Sequence, residues 1–280
     1  MEEFRDRVAV ITGAASGIGR GLARHAAREG MSVVLADVEG PRLDEAVAEV
    51  SSLGAETLGV RTDVSREADV VALADAAYRR FGAVHLLCDN AGVFQAGVVW
   101  QRTRADWDWV LGVNVFGILH AIRAFVPRLL EQGGDAHIVN TASMAGMISV
   151  AYSGPYVVSK FAAAALTECL AHDLRAQGAS IGVSCLVPGY VDTNIAESTR
   201  NRPDEPPSEV TAPDHHFVAQ VLKEQTAAQG RSPDEVAAMV FDAVRANQFW
   251  IPTGDSYEAL IRSRYDALLD RAMPPTTNFT

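Results

Sequence analysis

The sequence has no long hydrophobic run. None of its apolar stretches reaches the roughly 18 residues that a membrane-spanning helix needs, and the first seven residues, MEEFRDR, are polar and lead directly into a short apolar run. Such a start differs from a secretory or organellar targeting segment. We therefore expect a cytoplasmic protein with no membrane partner.

Positive charge is also scarce. The 24 Lys and Arg residues are outnumbered by 35 Asp and Glu residues, which gives a formal net charge of −11 at pH 7, and no basic block interrupts this balance. An acidic surface is repelled by the phosphates of nucleic acids and anionic lipids. We expect no nucleic-acid partner.

Cysteine is rare, and no metal-binding spacing is present. Cys88, Cys169 and Cys185 are scattered through apolar segments, there is no Cys-x-x-Cys, and the adjacent pair His215 and His216 has poor ligand geometry. This usage is typical of buried thiols in a reducing compartment. We expect neither a disulfide framework nor a metal ion.

The sequence does contain a regular alternation of short apolar runs and helical patterns. Its 280 residues, 48% of them apolar, are enough for one sizeable core. Strands and helices joined by short loops are typical of an α/β Rossmann fold, a doubly wound parallel sheet flanked by helices. With no repeat or linker, residues 1–280 are predicted to form a single domain. Strands are predicted at residues 7–12, 32–37, 56–62, 84–89, 136–142, 180–187 and 249–252.

One segment departs from this alternation. Residues 190–231 are rich in proline and charge, show no clear period and are too long for an ordinary connection. We interpret them as a substrate-binding lid or as a disordered insert. Elsewhere Ser65 is predicted to cap a helix, Pro127 to bend or close one, and Ser232 with Glu235 to form a capping box.

A glycine-rich turn connects the first predicted strand to a helix. Glycines let the backbone turn tightly and approach a ligand closely, while the helix N-terminus offers N–H groups and partial positive charge to a pyrophosphate. The alternative is an ordinary strand-to-helix turn. The residues predicted to bind a dinucleotide here are Gly13, Ser16, Gly17, Ile18 and Gly19.

Asp37 ends the second predicted strand, about 20 residues after the glycine turn. A carboxylate at this place can accept hydrogen bonds from an adenosine ribose, and it would repel a 2′-phosphate. Neither Val38 nor Glu39 offers a compensating cation. We therefore predict NAD as the cofactor, with NADP as the alternative.

Tyr156 and Lys160 lie four residues apart at the start of a long alanine-rich helix. This spacing puts both side chains on one face, where an ammonium can lower the phenol pKa from about 10 toward the neutral range that suits proton transfer. Ser143 adds a hydroxyl from the tip of the preceding strand. A solvated helix face is the alternative for such a pair.

Asn114 is unusual because it lies inside the apolar stretch VLGVNVFGIL, where a buried amide needs hydrogen-bond partners. We interpret it either as a satisfied core residue or as a clamp on water or backbone near the site. Asp63 and Asn90 follow the third and fourth strands, at the sheet edge where ligands of parallel sheets bind.

Together these motifs resemble the short-chain dehydrogenase/reductase family over residues 5–255. TGAASGIG at residues 12–19 is similar to the cofactor turn of the family, and NIAES with the following RP resembles a subgroup that includes aryl-alcohol (Cα) dehydrogenases. Asp89 departs from the family pattern, which usually has asparagine there. The residues that match the four catalytic residues of the family in order are Asn114, Ser143, Tyr156 and Lys160.

The resemblance implies a role for each matching residue. Tyr156 would exchange a proton with a secondary alcohol or ketone, Lys160 would bind the nicotinamide ribose, and Ser143 would hold the substrate oxygen. Asn114 would hold a water of a proton relay. The implied cofactor contacts are Asp63 and Val64 at the adenine, Asn90, Ala91 and Gly92 beneath the cofactor, and Pro188, Gly189, Val191 and Thr193 after the sixth strand, with Thr193 at the carboxamide.

Aromatic residues and methionines flank the catalytic groups in the sequence. If they line a pocket, the substrate is a bulky hydrophobic or aromatic alcohol or ketone; plain core packing is the alternative. The candidates are Phe94, Met144, Met147, Tyr152 and Tyr190.

Two functions outside catalysis stay open: a non-catalytic dinucleotide-binding sensor, and an interaction protein that docks through its proline-rich segment. The complete catalytic set argues against the sensor. The resemblance also implies a homodimer or homotetramer, joined through the long helices at about residues 103–130 and 153–177.

Overall fold

Seven parallel strands form one sheet. The computed structural model describes residues 1–203, 213–254 and 257–275. The strands are β1 (Val8–Thr12), β2 (Ser32–Asp37), β3 (Thr57–Arg61), β4 (Leu86–Asp89), β5 (Ala136–Thr141), β6 (Ile181–Val187) and β7 (Trp250–Pro252). Their order is β3-β2-β1-β4-β5-β6-β7, which confirms the predicted doubly wound parallel sheet.

Helices connect and cover the strands. They are α1 (Gly17–Arg28), α2 (Gly40–Ser52), α3 (Glu67–Phe81), α4 (Arg104–Leu111), α5 (Gly117–Gln132), α6 (Gly154–Ala176), α7 (Pro213–Gln229), α8 (Pro233–Arg245) and α9 (Glu258–Leu269). The capping box of Ser232 and Glu235 that starts α8 is present, and Thr103 forms a second one with Asp106 at α4. Each box satisfies N–H groups that a helix start leaves unpaired.

The sheet is buried on both faces. All five residues of β1 are buried, as expected for a central parallel strand covered by helices on each side. Because side chains of a strand alternate between faces, two separate cores form. One contains Leu22 of α1 and Phe241 of α8; the other contains Phe125 of α5 and Leu170 of α6.

The strand order reverses between β1 and β4, since β1 pairs with β2 on one side and with β4 on the other. Val10 of β1 lies between Val34 of β2 and Leu87 of β4. The loops after β1 and β4 therefore leave toward opposite faces of the sheet and open a crevice at the carboxyl ends of the strands. Parallel α/β sheets bind ligands in such crevices.

Two local expectations need correction. Ser65 does not cap α3, whose N-cap is Arg66; the Ser65 hydroxyl instead donates to Asp63 Oδ1 at 2.6 Å. Pro127 does not end α5, which continues to Gln132, because Phe125 and Leu129 on either side of it are buried in the core.

The segment interpreted as a lid or insert contains regular structure. A 3₁₀ segment covers Ile195–Asn201, and the 17-residue helix α7 follows at Pro213–Gln229. Of the two interpretations, the disordered insert is wrong for the described helical residues, while residues 204–212 lie outside the described part of the chain.

Residues Arg104–Gln132 form one continuous helical stretch of α4, a π-helical turn at Gly112–Phe116 and α5. Within the described residues it is the one helix whose length and hydropathy would allow it to cross a membrane. This is weak evidence for a membrane span, since core helices of soluble proteins have the same properties.

Asp89 at the end of β4 is buried, and both of its carboxylate oxygens lack a hydrogen-bond partner within the described residues. Burial raises the pKa of Asp89 well above its usual value. The cross-strand neighbour Asn140 also has an unpaired Oδ1. Burial of this unpartnered carboxyl therefore disfavours its charged form, and the resulting cost to stability grows with pH.

We predict that Asp89→Asn raises the free energy of unfolding at pH 7 by about 1–3 kcal/mol. Because the pKa of Asp89 is higher in the folded state, its contribution to the free energy of unfolding is fully present below the unfolded pKa of about 4. This contribution is lost as pH rises. The gain should therefore disappear near pH 4. Urea unfolding at both pH values tests this.

Asp135→Asn, at an exposed position, is the matched control and should change stability little at either pH. A destabilised Asp89→Asn variant at pH 7 would contradict this cost of burying an unpartnered carboxyl.

Candidate active site

One cavity of about 470 Å³ runs along the carboxyl edge of the sheet. Its wall begins at the turn after β1, passes the ends of β2 and β4, and reaches the start of α6. A volume of this size suits a small molecule rather than a macromolecule. The polar residues of the predicted site can therefore be placed relative to a single space.

The turn after β1 depends on glycine. Gly13 and Gly17 have φ angles of +66° and +50°, which favour glycine. A Cβ at Gly13 would lie 2.8 Å from Ala91 Cα, and one at Gly17 would lie 2.8 Å from Thr193 Cγ2. The turn is therefore pressed between two other loops. Gly19 is buried beneath it, where a Cβ would lie 2.1 Å from the Gly13 carbonyl oxygen.

The start of α1 faces the same cavity. Ser16 is the N-cap residue, yet its side chain makes no capping hydrogen bond, and Ser16, Gly17 and Ile18 all line the cavity. First-turn N–H groups need an acceptor from outside the helix. This cradle fits the phosphates of a nucleotide, which helix N-termini bind well.

Asp37 lines the cavity at the end of β2. Its Oδ2 accepts the backbone N–H of Ala15 and its Oδ1 that of Glu39, each at 3.0 Å. Burial raises the pKa of Asp37, although these backbone hydrogen bonds work against the increase. The carboxylate is thus fixed in direction, and each oxygen keeps acceptor capacity for a further donor.

Asp63 and Val64 line the same end of the cavity. The Asp63 carboxylate accepts the backbone N–H and the hydroxyl of Ser65. On the cavity floor, Asn90 Nδ2 donates to the carbonyl of Thr12 at 3.0 Å, and the backbone N–H groups of Asn90 and Ala91 donate to the Thr12 hydroxyl. These bonds tie the loop after β4 to β1.

Ser143, Tyr156 and Lys160 meet at the other end of the cavity. The Ser143 hydroxyl forms a hydrogen bond with the Tyr156 hydroxyl and accepts the backbone N–H of Ala145 at 3.1 Å. Lys160 is buried, and its Nζ donates to the Thr141 carbonyl at 2.9 Å and lies 5.8 Å from the centre of the Tyr156 ring. The predicted group of a hydroxyl, a phenol and an ammonium is therefore assembled around one point.

The direction of the tyrosine pKa differs from the expectation. Burial raises the pKa of Tyr156, and the hydrogen bond from Ser143 offsets only part of this. Burial also lowers the pKa of Lys160 to about 8. The reason is that the ammonium is oriented toward Thr141 rather than the phenol, and desolvation penalises both charged forms.

Asn114 acts on backbone rather than on the cavity. It sits in the π-helical turn, is fully buried, and accepts the Val93 N–H through Oδ1 at 2.8 Å. Its Nδ2 donates to the Val93 carbonyl at 3.0 Å and to the Ser159 hydroxyl at 2.9 Å. The structure therefore matches the backbone clamp among the alternatives for this residue. It holds the loop after β4 against α6.

Not all predicted pocket residues reach the cavity. Phe94, Met144 and Tyr190 line it, and the Phe94 ring lies 5.0 Å from that of Tyr156. Two assignments are corrected. Met147 packs against a core cluster, and Tyr152 is 48% exposed with φ +56°, so neither is among the described residues of the wall.

The remaining predicted cofactor residues are near one another in space. The loop after β6 brings Thr193 against the glycine turn. Gly19 and Asn114 do not line the cavity and lie behind the residues that do. The predicted residues that line the cavity are Gly13, Ser16, Gly17, Ile18, Asp37, Asp63, Val64, Asn90, Ala91, Gly92, Ser143, Tyr156, Lys160, Pro188, Gly189, Val191 and Thr193.

An apolar wall beside Tyr156 was not identified from the sequence. Val218, Val221 and Leu222 of α7 line the cavity, together with Tyr257 and Leu260 near the start of α9. The α7 residues are three and four positions apart, which places them on one helix face. This pattern was present in the sequence, but it follows directly after the proline-rich stretch and was not recognised. The α9 contribution has no comparable local signal.

Within the described residues there is no cluster of three or more His, Cys, Asp or Glu side chains that could hold a metal ion. The cavity instead has an acidic end, with Asp37, Glu39 and Asp63, and an apolar end beyond Tyr156. Such a division suits a ligand with a polar half and a reacting half of different character.

Comparison with known proteins gives consistent matches. The family model for short chain dehydrogenases matches residues 7–204. A CLA biosynthesis dehydrogenase/reductase of Lactiplantibacillus plantarum is 33% identical over 278 residues, 98% of this chain and 97% of the relative. A C alpha-dehydrogenase of Sphingobium sp. (strain NBRC 103272 / SYK-6) is 32% identical over 98% of this chain and 89% of the relative.

A solved structure is also similar over nearly the whole chain. It is a short chain dehydrogenase/reductase from Burkholderia phymatum in complex with NAD, 42% identical, with a TM-score of 0.94 and coverage of 99% of both chains. The likeness thus extends beyond the nucleotide-binding core to the helices that form the apolar wall.

Proposed function

The chain belongs to the short-chain dehydrogenase family, and on that premise we propose that it is a cytoplasmic, NAD-dependent oxidoreductase that interconverts a secondary alcohol and a ketone. The observation that carries the proposal is the meeting of Ser143, Tyr156 and Lys160 in the same cavity as the glycine turn. A cofactor in the cradle and a substrate at Tyr156 would be neighbours.

NAD is the cofactor that the wall fits best. Ser16, Gly17 and Ile18 would hold the pyrophosphate, Asp37 the adenosine ribose, and Thr193 the carboxamide. A buried Asp37 carboxylate disfavours an added 2′-phosphate. The NAD-bound structure from Burkholderia phymatum supports the same choice for a similar protein.

The chemistry of the reacting end follows from three side chains. Bound NAD supplies the hydride acceptor, or in the reverse direction NADH supplies the hydride. Tyr156 takes the hydroxyl proton of the alcohol as the carbonyl forms, and returns it in reduction. Ser143 donates a hydrogen bond to the substrate oxygen and stabilises charge there. Lys160 would hold the cofactor ribose, and its ammonium, 5.8 Å from the centre of the Tyr156 ring, would keep positive charge near the phenol.

The apolar wall supports a bulky hydrophobic or aromatic substrate. Val218, Leu222 and Leu260 offer no polar group to a small polyol, while Phe94 and Tyr190 offer aromatic surface.

An NADP-linked ketoreductase is the second candidate. The observation in its favour is that Arg200 reaches the acidic end of the cavity from a distant segment, which supplies a cation that Val38 and Glu39 lack. Since this guanidinium is already paired with Glu39, NAD remains preferred. A non-catalytic sensor would not need the group at Tyr156.

A homodimer or homotetramer is proposed as well. Phe116 and Leu130, on the helical stretch of α4 and α5, and Val158 on α6 are large apolar residues that are 41–49% exposed. Two apolar helix faces of this kind would be covered by a second copy.

The function is tested by titrating the protein with NAD and NADP and then assaying a panel of secondary alcohols at 340 nm. We expect tighter binding of NAD, and turnover that is faster with aryl carbinols than with short hydrophilic polyols, because the wall at α7 and α9 excludes water. Preference for NADP would favour the ketoreductase. A preference for polyols would contradict the apolar substrate site.

Tyr156→Phe separates binding from chemistry. The variant keeps the ring that packs against Phe94 and loses the proton-transferring hydroxyl. We expect NAD affinity to be unchanged within a factor of about two and kcat to fall by about 10²- to 10⁴-fold, the range of general acid–base catalysis. Near-native turnover would remove Tyr156 from its assigned role.

A further inference from the structure

Glu39, two residues beyond β2, is tied to a segment 161 residues away. Its Oε1 accepts hydrogen bonds from Nε and Nη2 of Arg200 at 3.1 and 2.8 Å, and from Nδ2 of Asn201 at 3.0 Å. Arg42 approaches its other oxygen at 3.4 Å. Three donors on one oxygen thus connect the 3₁₀ segment Ile195–Asn201 to the nucleotide-binding half.

The other side of Arg200 faces back to the loop after β6. Its Nη1 donates to the Asn194 carbonyl at 3.2 Å, and the preceding residue, Thr193, presses on Gly17 of the glycine turn. Arg200 thus bridges the loop that covers the glycine turn and the carboxylate near the end of β2.

These contacts close a circuit around the cavity. From Glu39 the backbone N–H donates to Asp37, and Asp37 in turn accepts the N–H of Ala15 in the glycine turn. The links are covalent or hydrogen-bonded except at Gly17, where Thr193 lies so close that an added Cβ would be 2.8 Å from its Cγ2. The members of the circuit that line the cavity are Ser16, Gly17, Asp37, Glu39, Thr193, Asn194 and Arg200.

We propose that Glu39 and Arg200 form a latch that must open for NAD to enter or leave the cleft, so that this ion pair sets the rates of both cofactor association and release. The proposal rests on the NAD binding proposed above. A dinucleotide lying from the glycine turn to Asp37 would pass beneath the circuit. Glu39 is held to the 3₁₀ segment by side chains alone, through Arg200 and Asn201, and only Arg200 contributes a charge to this link.

The pair is suited to opening. Its side chains are 18% and 26% exposed, so water can replace the lost hydrogen bonds when it separates. Burial of Glu39 opposes its ionisation, but the hydrogen bonds from Arg200 and Asn201 outweigh it and hold the pKa of Glu39 below its ordinary value. The carboxylate is therefore charged at neutral pH, and the latch is closed at rest.

The test measures NADH binding by stopped-flow fluorescence in wild type, Glu39→Gln and Arg200→Gln. Release is followed after a chase with excess NAD. We expect both the association and the release rate constants to rise by about tenfold in each variant, as the loss of one charged hydrogen-bonded pair would give, with a much smaller change in Kd. The double variant should release NADH no faster than either single variant, because both remove the same link.

Glu29→Gln is the matched control. Glu29 pairs with Arg245 at 2.6 Å, with side chains 27% and 37% exposed, at the far end of α1 from the glycine turn. Both NADH rates should be unchanged in it. Thermal unfolding of each variant checks that the fold is retained.

Other outcomes overturn the latch in distinguishable ways. Unchanged rates in Glu39→Gln and Arg200→Gln would show that the circuit does not gate the cleft. Faster release with unchanged association would identify a direct cofactor contact instead of a latch. Failure of wild type to bind NADH at all would overturn the proposed function, and the latch with it.

Discussion

The site is organised by a buried positive charge. Lys160 is 4% exposed, donates to the Thr141 carbonyl, and forms none of the salt bridges found in the described residues. An unpaired buried ammonium is costly, and here burial lowers its pKa to about 8. The ammonium keeps its charge because fixed groups surround it. The Thr141 carbonyl at the end of β5 accepts its hydrogen bond. Gly146 allows the backbone of α6 to approach closely, since a Cβ there would lie 2.5 Å from the Lys160 carbonyl oxygen.

The cavity connects this charge to the opposite, acidic end of the sheet edge. Asp37 and Glu39 stand where β2 ends, and Tyr156 and Lys160 stand on α6, with the glycine turn between them. A cofactor spanning these ends would bring its reacting part to the phenol and its polar part to the carboxylates. The clamp from Asn114 to Val93 keeps the intervening loop in place. Binding and chemistry thus depend on the same parallel-strand edge.

The sequence predicted those features of the structure that depend on interactions between neighbouring residues. The strand Ser32–Asp37 was placed correctly at both ends, because a run of buried apolar residues is bounded by turn residues. The glycine turn and the shared helix face of Tyr156 and Lys160 were likewise predicted from the sequence. Contacts between distant segments were not: α7 becomes part of the wall because Val218 packs with Phe94 and Ala96, and Glu39 meets Arg200 only after folding. The exposed Tyr152 and the raised pKa of Tyr156 depend on burial, which sequence neighbours do not define.

The proposed function depends on hydride transfer from an alcohol carbon to NAD beside Tyr156. The most direct measurement is mass spectrometry of the reduced cofactor after turnover of an aryl carbinol deuterated at the reacting carbon. We expect one deuterium in the reduced nicotinamide and a slower rate with the deuterated alcohol when chemistry limits turnover. Reduced cofactor without deuterium, or tight NAD binding with no transfer from any alcohol in the panel, would contradict it.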